Sequence, residues 1–225
     1  MIELIVCDMA GTTVYDGDAV NVSFRGALAA AGVDADPALV DTVMGLAKPE
    51  AIRILLTKSG RSASDDQISP IHDDFVRRML HYYATDPTVR EIPGASGALA
   101  ELRSAGVKVA LNTGFSRPIV TTLLDRLGWR VPDTIDAVVC SNEVPHGRPA
   151  PDMIRALMKQ LGLTDSRKIA KVGDTWADLD EGANAGCGIN LGVTTGSFTR
   201  EQLQTRPHTA ILDSIRDVPA FLRSL

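Results

Sequence analysis

The chain has 225 residues, 44% hydrophobic and 23% charged, with a formal net charge of −5. This length holds one domain or a core with an insertion. The acidic balance argues against a nucleic-acid binder, the scarce aromatics leave no platform for stacking bases, and no apolar run is long enough to span a membrane. No signal peptide is visible, because the N-terminus runs straight into a strand-like segment. The three cysteines, Cys7, Cys140 and Cys187, lie in or beside apolar strand-like runs without metal-ligand spacing. They read as buried thiols in a reducing compartment, which gives the expectation of a cytoplasmic protein.

The first element, Ile2-Glu3-Leu4-Ile5-Val6-Cys7, reads as a strand buried on both faces, as in a parallel sheet. Asp8 follows at its carboxyl end, where open α/β sheets bind ligands, and Gly11 frees the backbone to turn. The amides of such a turn can hold an anion. A carboxylate beside an anion implies a divalent cation, and a carboxylate so placed can be a nucleophile. Cys7 should point to the opposite face from Asp8 and is assigned no chemistry.

After the Asp16-Gly17 turn the pattern becomes helical. Val20, Phe24, Ala27, Leu28 and Ala31 recur at helical spacing up to Gly32. Leu39, Val43 and Met44 suggest a second, short helix, which Gly45-Leu46-Ala47 breaks. Pro49 opens a third, and Ile71, Phe75, Met79 and Tyr82 mark a fourth. With no strand pattern among them, residues 16–87 read as a helical cap inserted into a core made of 1–15 and 88–225.

From Pro93-Gly94 strands alternate with helices. Strands are expected at 107–112, 135–140, 169–172, 187–193 and 209–212, and helices around Ala98–Leu102, Ile119–Leu127, Met153–Leu161 and Ala177–Ala185. This alternation implies a Rossmann-like parallel sheet with right-handed crossovers, an α/β class.

Four motifs fall after predicted strands: Asp8-Met9-Ala10-Gly11-Thr12, Thr113-Gly114, Gly147-Arg148-Pro149 and Gly173-Asp174-Thr175-Trp176-Ala177-Asp178. A hydroxyl at Thr113 suits phosphoryl oxygens. Arg148 could balance a nucleophile and a phosphoryl group. Asp174 and Asp178, four apart at a strand-to-helix junction, suit a hard cation. Each motif has a bland alternative: a plain turn, a surface arginine, or acids that favour a helix N-terminus. Their order is that of the haloacid dehalogenase superfamily, which the chain resembles over nearly its whole length.

The resemblance implies a hydrolase in which Asp8 attacks phosphorus and forms an aspartyl-phosphate. It implies Mg²⁺ held by Asp8, the Ala10 carbonyl and Asp174, with Asp178 binding directly or orienting bound water. Thr12, Thr113, Gly114 and Arg148 would meet the phosphoryl group of a small phosphonate or phosphate. Most superfamily phosphatases carry a second aspartate two residues after the nucleophile as general acid and base; here that position is Ala10. An alkoxide leaving group would forgo a contribution of about 10²–10⁴ in rate.

The phosphonatase branch, the phosphonoacetaldehyde hydrolases, is similar at this point, with Ala-Gly-Thr-Thr after its nucleophile. It cleaves carbon–phosphorus bonds through a Schiff base on a cap lysine within Met-Gly-Leu-x-Lys. Met44-Gly45-Leu46-Ala47-Lys48 resembles that segment, which implies a Schiff base on Lys48 and a substrate contact at Gly45. Pro49 favours a first helical turn, which would place Lys48 near the N-cap, where the helix dipole favours the neutral amine. Three positions depart from the branch. Its histidine three residues after the lysine is Ala51 here, its tyrosine after Thr-Gly is Phe115, and a cysteine is Asp18. Among the histidines, His146, near Arg148, has a motif-based claim to replace the lost one. A homodimer through an exposed cap face is a further implication. The alternatives are a phosphate-monoester phosphatase without a Schiff base, and a catalytically weak sensor of a phosphorylated metabolite.

Overall fold

The computed structural model describes all residues, Met1–Leu225. Six strands form one fully parallel sheet: β1 (Leu4–Cys7), β2 (Lys108–Thr113), β3 (Ala137–Cys140), β4 (Ile169–Gly173), β5 (Ile189–Val193) and β6 (Ala210–Leu212), in the order β3-β2-β1-β4-β5-β6. The expected α/β Rossmann-like architecture is thus present. β1 lies between β2 and β4, and chain order reverses beside it. Asp8 and Asp174 therefore emerge from neighbouring strand ends at the crevice where such sheets bind ligands.

Strand alternation sends Leu4 and Val6 to one face and Ile5 and Cys7 to the other. The first face is covered by α7 (Asp152–Gln160) and α8 (Trp176–Ala185), the second by α5 (Ala95–Ser104) and α6 (Arg117–Leu127). Burial pushes the thiols of Cys7, Cys140 and Cys187 up to about 12, so all three are protonated and unreactive at neutral pH.

Between β1 and α5 stand four helices and no strand: α1 (Ala19–Ala30), α2 (Pro37–Asp41), α3 (Lys48–Lys58) and α4 (Asp65–Thr85). Their apolar faces converge on Phe24, Leu28, Ile52, Leu55, Phe75 and Met79. That cluster runs without interruption into Phe115, Ile119 and Leu123 beneath the sheet. Gly17 and Asp18, with φ of 55° and 68°, are both left-handed and swing the chain from the β1 loop into α1. The third helix starts at Lys48 with Pro49 second, so the extended residue at its N-cap is Ala47 (φ −57°, ψ 134°).

Two helices were not anticipated, α9 (Arg200–Gln204) and α10 (Val218–Arg223). The first spans five residues and buries only Leu203; its visible mark is the Thr199–Gln202 capping box. No helix is long and apolar enough to cross a membrane.

Candidate active site

The ends of β1, β2 and β4 and the segment before α3 enclose a cavity of about 400 Å³, the size of a small molecule. Asp8, Ala10, Gly45, Lys48, Thr113 and Gly114 line it. Two of the expected phosphoryl contacts stand elsewhere. The Thr12 hydroxyl is fully buried and donates to Asp174 Oδ1 at 2.9 Å, so it steadies a carboxylate and does not face the cavity. The Gly11 and Thr12 amides are spent inside the loop, on the Val14 and Met9 carbonyls, so neither is free for an anion.

Arg148 also lies behind the cavity wall. Its Nη1 donates to Asp8 Oδ1 at 2.6 Å and lies 2.9 Å from Asp178 Oδ1. Its Nη2 donates to the Asn112 carbonyl and Oδ1 at 2.7 and 2.6 Å, and its Nε to Glu181 at 3.0 Å. Every guanidinium nitrogen is thereby fixed, and the fork holds the Asp8 carboxylate in place. Lys171, wholly buried in β4, reaches Asn112 Oδ1 at 2.8 Å, Asp178 at 2.9 Å and Glu181 at 3.3 Å. Asn112, Lys171 and Glu181 belong to none of the four motifs. A lysine in the middle of a doubly buried strand was the available signal, since such a charge must be paired.

The Asp8, Asp174 and Asp178 carboxylates approach within 4.8 Å of one another. Burial pushes Asp8 above the ordinary carboxylate range, against the pull of Arg148. Burial, then repulsion from Asp8 and Asp178, drives Asp174 well above it. Burial also opposes the charge on Asp178, but Arg148 and Lys171 outweigh it and hold that carboxyl low. Asp178 is also the third residue of α8, in a capping box with Thr175, so its helix-start role and its place in the cluster coincide. Four buried carboxylates, with Glu181 the fourth, face only the two cations Arg148 and Lys171. With all four ionised the surplus would be two negative charges, which one hard divalent cation would balance, and the all-oxygen donor set suits such an ion.

Lys48 is 4% exposed. Its Nζ lies 5.0 Å from the Phe115 ring centroid, 5.3 Å from Phe24 and 5.9 Å from Phe75. Burial lowers its pKa to about 8, with Asp8 and Asp16 opposing the shift. The rings come from α1, α4 and the β2 loop. Phe24 and Phe75 looked like ordinary core residues in the sequence because the same helical spacing serves both roles.

The segment before Lys48 is pressed into the core. A Cβ at Gly45 (φ 85°) would overlap Thr175 Oγ1, one at Gly114 would overlap the Leu46 carbonyl, and one at Gly147 would come within 2.9 Å of Ala47 Cβ. Trp176 Nε1 donates to the Thr42 carbonyl at 3.1 Å across the same junction. His146 is bonded to Asp152 at 3.0 Å, with its side chain 76% exposed, and it lines a separate opening on the other side of Lys48. No titratable side chain stands at position 10, and Ala51 is a fully buried methyl.

A family model described as haloacid dehalogenase-like hydrolase matches residues 2–186. Curated relatives include proteins named phosphonoacetaldehyde hydrolase from Syntrophobacter fumaroxidans, 31% identical over 99% of this chain and 83% of its own length, and from Bacteroides fragilis, 32% identical over 96% and 87%. Among solved structures, a hydrolase from Pseudomonas syringae superposes with a TM-score of 0.90 over 99% of both chains at 18% identity, a likeness of fold.

Proposed function

The chain belongs to the haloacid dehalogenase-like hydrolases, on their phosphonatase-like branch, and from that premise we propose that it cleaves a small phosphonate aldehyde of the phosphonoacetaldehyde kind. The observation that carries this reading is Lys48. A buried amine with a pKa near 8, in the same cavity as a buried carboxylate at a strand end, is suited to condense with an aldehyde.

In this reading residues 16–87 act as a cap that excludes water. The Lys48 amine forms an iminium with the substrate aldehyde. Asp8 attacks phosphorus, the carbon–phosphorus bond breaks, and its electron pair moves into the iminium to leave an enamine. The leaving group is then carbon stabilised by an electron sink, and it needs no acid at position 10. This accounts for the tolerance of Ala10. Water hydrolyses the aspartyl-phosphate; the enamine carbon takes up a proton to become the iminium of the product aldehyde, and addition of water to that iminium releases the aldehyde and returns Lys48.

Arg148 fixes the Asp8 carboxylate through Oδ1, while Thr113 and Gly114 border the space a phosphoryl group would enter. Asp8, the Ala10 carbonyl and Asp174 would hold Mg²⁺. Asp178, with its oxygens already facing Thr175, Arg148 and Lys171, would orient the shell around it. When bound, that ion would neutralise repulsion between the nucleophile and phosphoryl oxygens.

The test is release of acetaldehyde and phosphate from phosphonoacetaldehyde with Mg²⁺, for wild type and Lys48→Arg. Turnover by wild type and its loss in the variant is the expected result. No turnover, with phosphate released from monoesters at equal rate in both proteins, would overturn the reading in favour of a phosphatase without a Schiff base.

A further inference from the structure

Imine formation needs an acid–base partner for the amine, and neither position 10 nor position 51 offers one. Asp16 lies at the turn between the β1 loop and α1 and lines the cavity with Lys48 and Asp8. Its Oδ2 accepts from the Val20 amide at 3.3 Å, and its carbonyl accepts from the Tyr82 hydroxyl at 3.4 Å. Its Oδ1 is sealed from solvent and has no hydrogen-bond partner at all. A buried carboxylate oxygen left bare costs free energy, and a catalytic role is one recognised reason for keeping such a group. The left-handed pair Gly17 and Asp18 forms the turn that brings this residue to the cavity wall.

We propose that Asp16 is the acid–base group that serves Lys48 during imine formation and imine hydrolysis, an inference that rests on the Schiff-base reading above. Asp16 takes a proton from the Lys48 ammonium. The free amine adds to the aldehyde carbon, forming the N–C bond while the carbonyl π pair moves to oxygen. Asp16 gives its proton to that oxygen and takes one from the nitrogen, leaving a neutral carbinolamine. It then protonates the hydroxyl. The C–O bond breaks, its pair departs with water, and the nitrogen lone pair closes the C=N bond. Ammonium and aldehyde have become iminium and water, with Asp16 again a carboxylate. The same steps in reverse release the product aldehyde.

Burial raises Asp16 to about 6 and lowers Lys48 to about 8, so between these values Asp16 is a carboxylate and Lys48 an ammonium, the state from which the first proton transfer starts. The other charged or titratable groups around Asp16 are Asp18 in its own loop, Asp8 at the end of β1, and Tyr82 and Tyr83 of α4. Tyr83 is held protonated well beyond this range.

The experiment is the rate at which borohydride traps phosphonoacetaldehyde on Lys48, measured from pH 5 to pH 9. Asp16→Asn keeps an acceptor for the Val20 amide and loses the proton site. It should trap about 10²–10⁴ times more slowly, with the limb near pH 6 gone, while Asp16→Glu restores part of both. His72→Asn, a change in the separate opening beyond Lys48, should leave the profile as in wild type. If wild type is trapped and Asp16→Asn matches it in rate and profile, Asp16 has no such role, and the Schiff-base reading stands alone. Loss of the limb in His72→Asn instead would assign the proton to His72 and also overturn the proposal. Failure to trap wild type overturns both readings together.

Discussion

The Leu46 carbonyl rests directly on Gly114 at the end of β2, where a Cβ would overlap that oxygen. This contact, with Gly45 against Thr175 and Ala47 against Gly147, sets the depth to which Lys48 enters the core. Gly114→Ala should lift the segment. Displacement of a reacting group by about 1 Å can cost roughly 10²-fold, so kcat/KM should fall by about that factor while the fold survives. Steady-state kinetics alongside circular dichroism would check both halves.

Asp16 carries a cost that depends on pH. Burial raises its folded pKa from 3.8 to about 6, so the fold binds its proton more tightly than the unfolded chain does. A group shifted this way contributes stability that is fully present below 3.8 and is lost as pH rises through about 6. Asp16→Asn removes the loss. Thermal denaturation should place the variant above wild type at pH 7.5, and the gain should disappear at pH 3.5.

Glu181 accepts two hydrogen bonds from Asn112, at 2.8 and 2.9 Å, and one from Arg148 Nε. It touches neither Asp8 nor the cavity, so it is a positioning residue for the guanidinium. Glu181→Gln should lower kcat by about 10–100-fold, with KM little changed. A larger rise in KM than fall in kcat would assign Glu181 to substrate binding. Lys171→Met, by contrast, leaves Asp178 and Glu181 with Arg148 as their one cation and should destabilise the fold by about 3–5 kcal/mol, which urea denaturation would measure.

Asp174 is pushed well above its ordinary range by burial and by Asp8 and Asp178. Asp174→Asn should therefore raise the melting temperature of chelator-treated protein while abolishing turnover with Mg²⁺ present. Adding Mg²⁺ should stabilise wild type and leave this variant unmoved, a contrast that calorimetry reads without substrate.

The sequence displayed the sheet well because strands and motifs are local. Four of the strand runs are followed by their own motif: Asp8 to Thr12, Thr113-Gly114, Gly147-Arg148-Pro149 and Gly173 to Asp178. Roles that depend on distant partners were hidden. Thr12 sits beside the motif glycine, but only the fold shows its hydroxyl on Asp174, far along the chain. Phe24 and Phe75 share the helical spacing of core residues, and nothing local marks them as walls around an amine. Asp16 looked like a turn residue, and it is one; its bare Oδ1 is visible only once α1, α3 and α4 close around it. The short helices α9 and α10 bury too little to set up a detectable period.

The most direct measurement of the central claim is the mass of the protein after borohydride reduction in the presence of acetaldehyde, the product the reaction would leave on Lys48. The account predicts one added ethyl group, mapped to the peptide containing Lys48 and absent from Lys48→Arg. Unmodified protein at a pH near 8, or an adduct spread equally over surface lysines in both proteins, would contradict it.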